Sequence, residues 1–142
     1  MADLPLFAYG TLLTGVLELA VKRLLARQAR KLGVARLHGR LHDQGGYPGL
    51  VCGPATGAWA RGELLALADP VRMLATLDRY EGFDPARPQA GEFVRTIRRV
   101  ERAGGTCEVW VYLLNVRRVR PGPRIVGGDW RRYRNHTRMQ RA

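Results

Sequence analysis

The sequence predicts an α+β fold: a mixed, largely antiparallel sheet that curls into a small, partly closed barrel and carries two main helices. Three observations predict it. Candidate strands outnumber candidate helices along the chain. Two long runs rich in β-branched and aromatic residues, Phe93–Arg102 and Thr106–Val116, are separated only by Ala103-Gly104-Gly105, which makes them an antiparallel hairpin. With 142 residues the chain has the length of one domain and can bury a core without disulfide or metal staples.

The elements follow in order. Leu4–Tyr9 is a short apolar run ended by Gly10, a buried first strand followed by a sharp turn. Beyond Gly15, Leu17, Ala20/Val21, Leu24/Leu25, Ala29 and Leu32 recur at helical spacing, so an amphipathic helix is expected to end at Gly33. Val34–His42 alternates loosely and reads as the second strand. The glycines and proline of Asp43–Gly49 demand a loop. Leu50–Cys52 is a short strand and Trp59–Leu67 a longer one. Asp69-Pro70 is a start signal, an acidic N-cap with proline at the first helical position. Val71, Leu74 and Leu77 give that helix its apolar face until Glu81-Gly82, and Phe83–Gly91, with two prolines, is a loop. No internal repeat or domain boundary interrupts residues 1–130; residues 131–142 form a basic tail whose order the sequence leaves open.

Composition narrows the class. Hydrophobic residues make up 46% and charged residues 25%, ordinary for a packed globule and too apolar for general disorder. No apolar stretch approaches the ~18 uninterrupted residues of a membrane span. The Met1-Ala2-Asp3-Leu4 start lacks a basic leader region, so a cytoplasmic location with no membrane partner is expected. The formal net charge is +12, almost all of it arginine, and nine arginines against Asp129 alone fall in residues 117–142. Such a cluster suits phosphate neutralisation. No nucleic-acid motif accompanies it, and the aromatics are too dispersed for a base-stacking platform. Cys52 and Cys107 match no metal or redox spacing and are expected to be reduced and buried. His38 and His42 would share one face of a strand, but no third ligand lies nearby in sequence; neither metal nor cofactor is expected.

Three features stand out from this background. Tyr9-Gly10-Thr11-Leu12 turns the chain directly after a buried strand, where successive amides form an anion cradle and Thr11 adds a hydroxyl. Asp78 and Glu81 lie three apart at a helix C-terminus, where the macrodipole disfavours carboxylates. A glutamate held there beside an apolar pocket would have its pKa raised toward a value useful for proton transfer. The third is the Gly45–Gly49 loop, which offers Tyr47 as the wall of a pocket.

The order of these pieces resembles the γ-glutamylcyclotransferase-like superfamily. Its opening Tyr-Gly-Ser/Thr-Leu loop corresponds to Tyr9-Gly10-Thr11-Leu12. Its Gly-x-Leu strand and glycine–proline loop correspond to Gly39-Arg40-Leu41 and Gly46-Tyr47-Pro48-Gly49-Leu50, and its Gly-Glu-Leu strand to Gly62-Glu63-Leu64. The Leu-Asp-x-x-Glu-Gly motif is Leu77-Asp78-Arg79-Tyr80-Glu81-Gly82; Val111-Tyr112 and Gly128-Asp129-Trp130 follow in register. Phe93 departs from the family's frequent tyrosine and removes a hydroxyl from that position. The resemblance implies cyclisation of a γ-glutamyl amide to 5-oxoproline, with Glu81 as general acid–base. Tyr9, Gly10, Thr11, Leu12, Tyr47 and Tyr112 would bind substrate, and Asp78 would orient the Glu81 turn. The partner implied is a small γ-glutamyl compound, without a cofactor. The competing expectation is a non-catalytic module on the same fold whose arginine-rich tail binds RNA or another polyanion.

Overall fold

In the computed structural model, residues 3–10, 19–53 and 57–141 are described. They form β1 (Leu6–Ala8), α1 (Leu19–Gln28), β2 (Ala29–Asp43), β3 (Pro48–Cys52), β4 (Trp59–Leu67), α2 (Pro70–Glu81), β5 (Phe93–Arg102), β6 (Gly105–Leu114), β7 (Arg124–Ile125) and α3 (Trp130–Arg141). Strands β2, β4, β1, β6 and β5 lie side by side in that order, and β5 returns to β2 through the pairs Ala35–Arg102 and Arg36–Glu101. The sheet is thereby a closed five-stranded barrel. Every barrel contact is antiparallel except that of β1 with β6, where Leu6 lies beside Trp110. β3 and β7 extend the far half of β2 beyond the barrel.

Side-chain alternation divides the core in two. Phe7, Leu37, Ala60, Leu64, Val100, Val109 and Val111 point into the barrel together with Trp130. Their neighbours Leu6, Ala8, Leu65, Leu67 and Leu114 point outward against Leu25 of α1 and Met73, Leu74 and Leu77 of α2. β1 is buried on both faces, which is why it reads as one continuous apolar run.

Three expectations are corrected. The helix expected to run to Gly33 ends at Gln28, because Ala29–Lys31 pair with Leu65–Leu67 and a bulge between Lys31 and Gly33 absorbs the change of register. Val71 is 83% exposed, and Met73 takes its place on the apolar face of α2. Cys52 and Cys107 are free but only partly buried. The start signal of α2 is as expected, with Asp69 accepting from the Arg72 amide at 3.4 Å, and Gly82 closes the helix in the left-handed region. A third helix, α3, occupies the basic C-terminal segment. Among the described residues, no helix is long and apolar enough to cross a membrane.

Candidate active site

The last turn of α2 is fixed before Glu81 is reached. Asp78 is 4% exposed and accepts from Arg95 Nε at 2.7 Å and Nη2 at 3.1 Å, and from the Tyr112 hydroxyl at 2.7 Å. Arg95 sits on β5 and Tyr112 on β6, so one carboxylate joins the helix end to both strands of the hairpin. The Arg95 guanidinium also lies over the Trp110 ring, 4.5 Å from its centroid. The Phe83 amide donates to the Asp78 carbonyl at 2.8 Å as the chain leaves the helix. Asp78 therefore ties the turn that carries Glu81 to β5 and β6.

Glu81, one turn farther on, reaches a cavity of about 320 Å³. Its walls are Phe7–Gly10 at the end of β1, Tyr47-Pro48 from the loop before β3, and Tyr80-Glu81 from α2. Glu92, Phe93 and Tyr112 complete them from the hairpin. Thus Tyr9, Gly10, Tyr47, Glu81 and Tyr112 come together from widely separated places in the sequence. Thr11 and Leu12, expected beside them, lie outside the described residues. Pro48 packs so closely on the turn that a Cβ on Gly10 would stand 2.0 Å from Pro48 Cγ. Only glycine lets the two walls meet there.

The electrostatics single out Glu81. Burial raises its carboxyl pKa from 4.5 to about 7, and the nearby Glu92 charge adds to the effect. A carboxyl with that value exchanges a proton readily near neutrality. The tyrosines remain protonated donors: burial and then the Glu81 charge raise Tyr9, while burial and the bond to Asp78 raise Tyr112. Tyr47 is pushed up to about 12, first by its hydrogen bond to Glu92 and then by burial.

Two of these hydroxyls have partners within the protein. The Tyr112 hydroxyl donates to Asp78. The Tyr9 hydroxyl donates to the Tyr112 carbonyl. Glu92 is a cavity residue that sequence reasoning misses; it accepts from the Tyr47 hydroxyl at 2.5 Å. Its sequence signal is modest: one of 12 acids against 24 cations, placed where a loop enters a strand. Phe93 is buried in the cavity wall, its ring 6.3 Å from that of Tyr47. His38 stacks on Trp59 with centroids 3.5 Å apart, whereas His42 Nδ1 lies 2.8 Å from the Gly122 carbonyl. Among the described residues, no group of three His, Cys, Asp or Glu side chains could hold a metal.

Fold and site together define a class of small barrel proteins with a partly buried carboxyl in an aromatic-walled cavity. The chain belongs to the gamma-glutamyl cyclotransferase, AIG2-like family, whose model matches residues 6–132. Among solved structures it is similar to YkqA from Bacillus subtilis, with 24% identity and a TM-score of 0.73 over 97% of this chain and 43% of that one. It is also similar to c4763, a uropathogenic E. coli-specific protein, with 23% identity and a TM-score of 0.65 over 96% and 98% of the two chains. An AIG2-like protein from Mus musculus aligns at 24% identity and a TM-score of 0.59 over 78% of this chain and 76% of its own. These likenesses show a shared fold, and this chain spans less than half the length of YkqA. No curated protein sequence matches it.

Proposed function

We propose that this protein cyclises a γ-glutamyl amide, releasing 5-oxoproline and a free amine or amino acid, with Glu81 as the proton shuttle. The observation that carries the reading is Glu81 itself, a carboxyl with a pKa raised to about 7 on the wall of a cavity suited to a small molecule. An α-ammonium is not a nucleophile until it loses a proton. The Glu81 carboxylate takes that proton, and the freed amine attacks the γ-carbonyl of the same molecule to form the five-membered ring. The resulting carboxyl protonates the leaving nitrogen as the γ C–N bond breaks, and the regenerated carboxylate takes the second proton from the ring nitrogen and passes it to the released amine. Both reacting groups belong to one substrate, so the protein's remaining task is to hold the bent conformer and exclude water. The backbone at Tyr9-Gly10 is the proposed cradle for the α-carboxylate, and Tyr47 closes the opposite wall.

The test is product analysis with a panel of γ-glutamyl amino acids and amines in heavy-oxygen water. The expected product is 5-oxoproline free of solvent oxygen, because the attacking atom is nitrogen. Glutamate carrying solvent oxygen in its side-chain carboxyl would mean hydrolysis and overturn the proposal. The second reading, a polyanion-binding module, draws on the exposed Arg131 and Arg132 of α3. It gives no role to a carboxyl with a raised pKa in a cavity, and the cyclotransferase reading is preferred for that reason.

A further inference from the structure

The C-terminal helix reaches the cavity through the loop that walls it. No α3 residue lines the cavity among the described residues. Tyr133 and Arg134 instead bind the loop from behind. The Tyr133 hydroxyl donates to Asp43 Oδ2 at 2.6 Å, and Arg134 Nη1 donates to the Gly46 carbonyl at 2.7 Å. Asp43 Oδ1 in turn accepts from the amides of Gly45 at 3.0 Å and Gly46 at 2.9 Å. Burial works to raise the Asp43 pKa, but these donors and the Arg134 charge outweigh it and lower the value, keeping the acceptor ionised. The helix is itself anchored, since Trp130 is buried in the barrel core and Tyr133 packs against it with ring centroids 5.6 Å apart.

The rest of the loop has other supports. The Asp43 amide donates to the Pro123 carbonyl at 2.8 Å, and the Gln44 side chain bridges the Arg120 carbonyl and the Gly122 amide. The tip depends on different contacts. Gly45 and Gly46 have φ of +100° and +105°, a backbone that glycine adopts freely and leaves as freely. The tip is held by the Asp43 carboxylate, by α3 and by the Gln44 amide, which donates to the Tyr47 carbonyl at 2.8 Å; the Tyr47 side chain is bonded to Glu92, and Pro48 is packed on Gly10.

We propose that α3 positions this cavity: Tyr133 and Arg134 hold the tip of the Asp43–Pro48 loop so that the Tyr47 hydroxyl stays on Glu92 and the Glu92 carboxylate stays beside Glu81. Its catalytic consequence rests on the cyclotransferase reading; its geometry does not. Among the described residues, Glu92 and the hydroxyls of Tyr9, Tyr47 and Tyr112 interact electrostatically with Glu81, and Tyr80 lines the same cavity. All three hydroxyls are protonated at neutral pH. Freeing the loop moves Glu92 away and admits water to Glu81, and both changes favour the ionised form of Glu81.

The experiment is a carboxyl-carbon NMR titration of Glu81 in the intact chain, comparing wild type with the double variant Tyr133→Phe/Arg134→Met. The expected result is an acid-ward move of the Glu81 midpoint by about one pH unit, with Arg134→Lys on an intact Tyr133 returning toward wild type. With an active substrate, KM should rise ~10-fold while kcat changes less. Should the double variant fail to fold, Arg134→Met alone carries the same test. An unchanged Glu81 midpoint in a folded variant overturns the proposal. The titration reads the carboxyl whether or not 5-oxoproline forms, so failure of the cyclotransferase reading leaves this result interpretable.

Discussion

Replacing Glu81 by Gln is expected to cut 5-oxoproline release by ~10²–10⁴-fold, the usual contribution of a general acid–base group, while making the folded protein more stable above neutrality. The opposite signs follow from one cause. Glutamine fills the same space and keeps a hydrogen-bonding end, but it carries no proton to exchange. The substrate ammonium then keeps its proton, and the leaving nitrogen receives none. The stability effect comes from linkage. The folded-state pKa of Glu81, about 7, lies above its ordinary value of 4.5. Its favourable contribution to folding is therefore fully present below about pH 4.5 and is lost as pH rises through about 7. A neutral glutamine side chain undergoes no such loss. The advantage of Glu81→Gln should be absent in acid and grow to at most about 3 kcal/mol at alkaline pH. Chemical denaturation at several pH values, beside 5-oxoproline assays, checks both halves. A variant that lost activity by unfolding would lose stability instead.

Asp78→Ala is the substitution expected to cost most in stability. It strips the partly buried Arg95 guanidinium of two hydrogen bonds and the Tyr112 hydroxyl of its acceptor. The Arg95 side chain is 15% exposed, so water restores little of what is removed. Breaking one side of a buried pair costs about 3–5 kcal/mol, a large share of the stability of an ordinary domain. A fall in Tm of roughly 10–20 °C is the corresponding expectation. Asp78→Asn, which keeps an acceptor oxygen for Tyr112 but loses the charge, should fall between Ala and wild type. Melting of the three proteins at neutral pH decides it. A loss under about 1 kcal/mol for Ala would show that this junction does not hold α2 to the hairpin.

The sequence makes most of the barrel legible because its strands carry local signals. Trp59–Leu67 matches β4, and Phe93–Arg102 matches β5, since alternation and turn residues mark their ends. Glu81 is legible for a related reason: the helix around it has a start signal at Asp69-Pro70 and a stop at Gly82. What escapes is set by distant partners. Ala29 and Leu32 continue the helical period of the residues before them, yet pairing of this segment with β4 outweighs that local preference. Barrel closure rests on two residue pairs between β2 and β5, too few to leave a pattern. Glu92 reaches the site beside Tyr47, 45 positions earlier, and nothing around it is periodic. The arginines of the C-terminal segment suggest a solvated tail; its attachments are the buried Trp130 and side chains that meet a loop some 90 residues away.

The most direct measurement is the pH dependence of kcat/KM for 5-oxoproline release by the wild-type protein, using the best γ-glutamyl amide from the panel. Glu81 must be ionised in the free protein to accept the substrate's proton, so kcat/KM should rise with a midpoint near pH 7, the pKa that burial and Glu92 impose. Titration of the substrate's own amine falls at higher pH and is separated by following the free compound. A kcat/KM that stays flat through about pH 7, or a midpoint near the ordinary glutamate value of 4.5, would contradict the assignment of Glu81 as the proton shuttle.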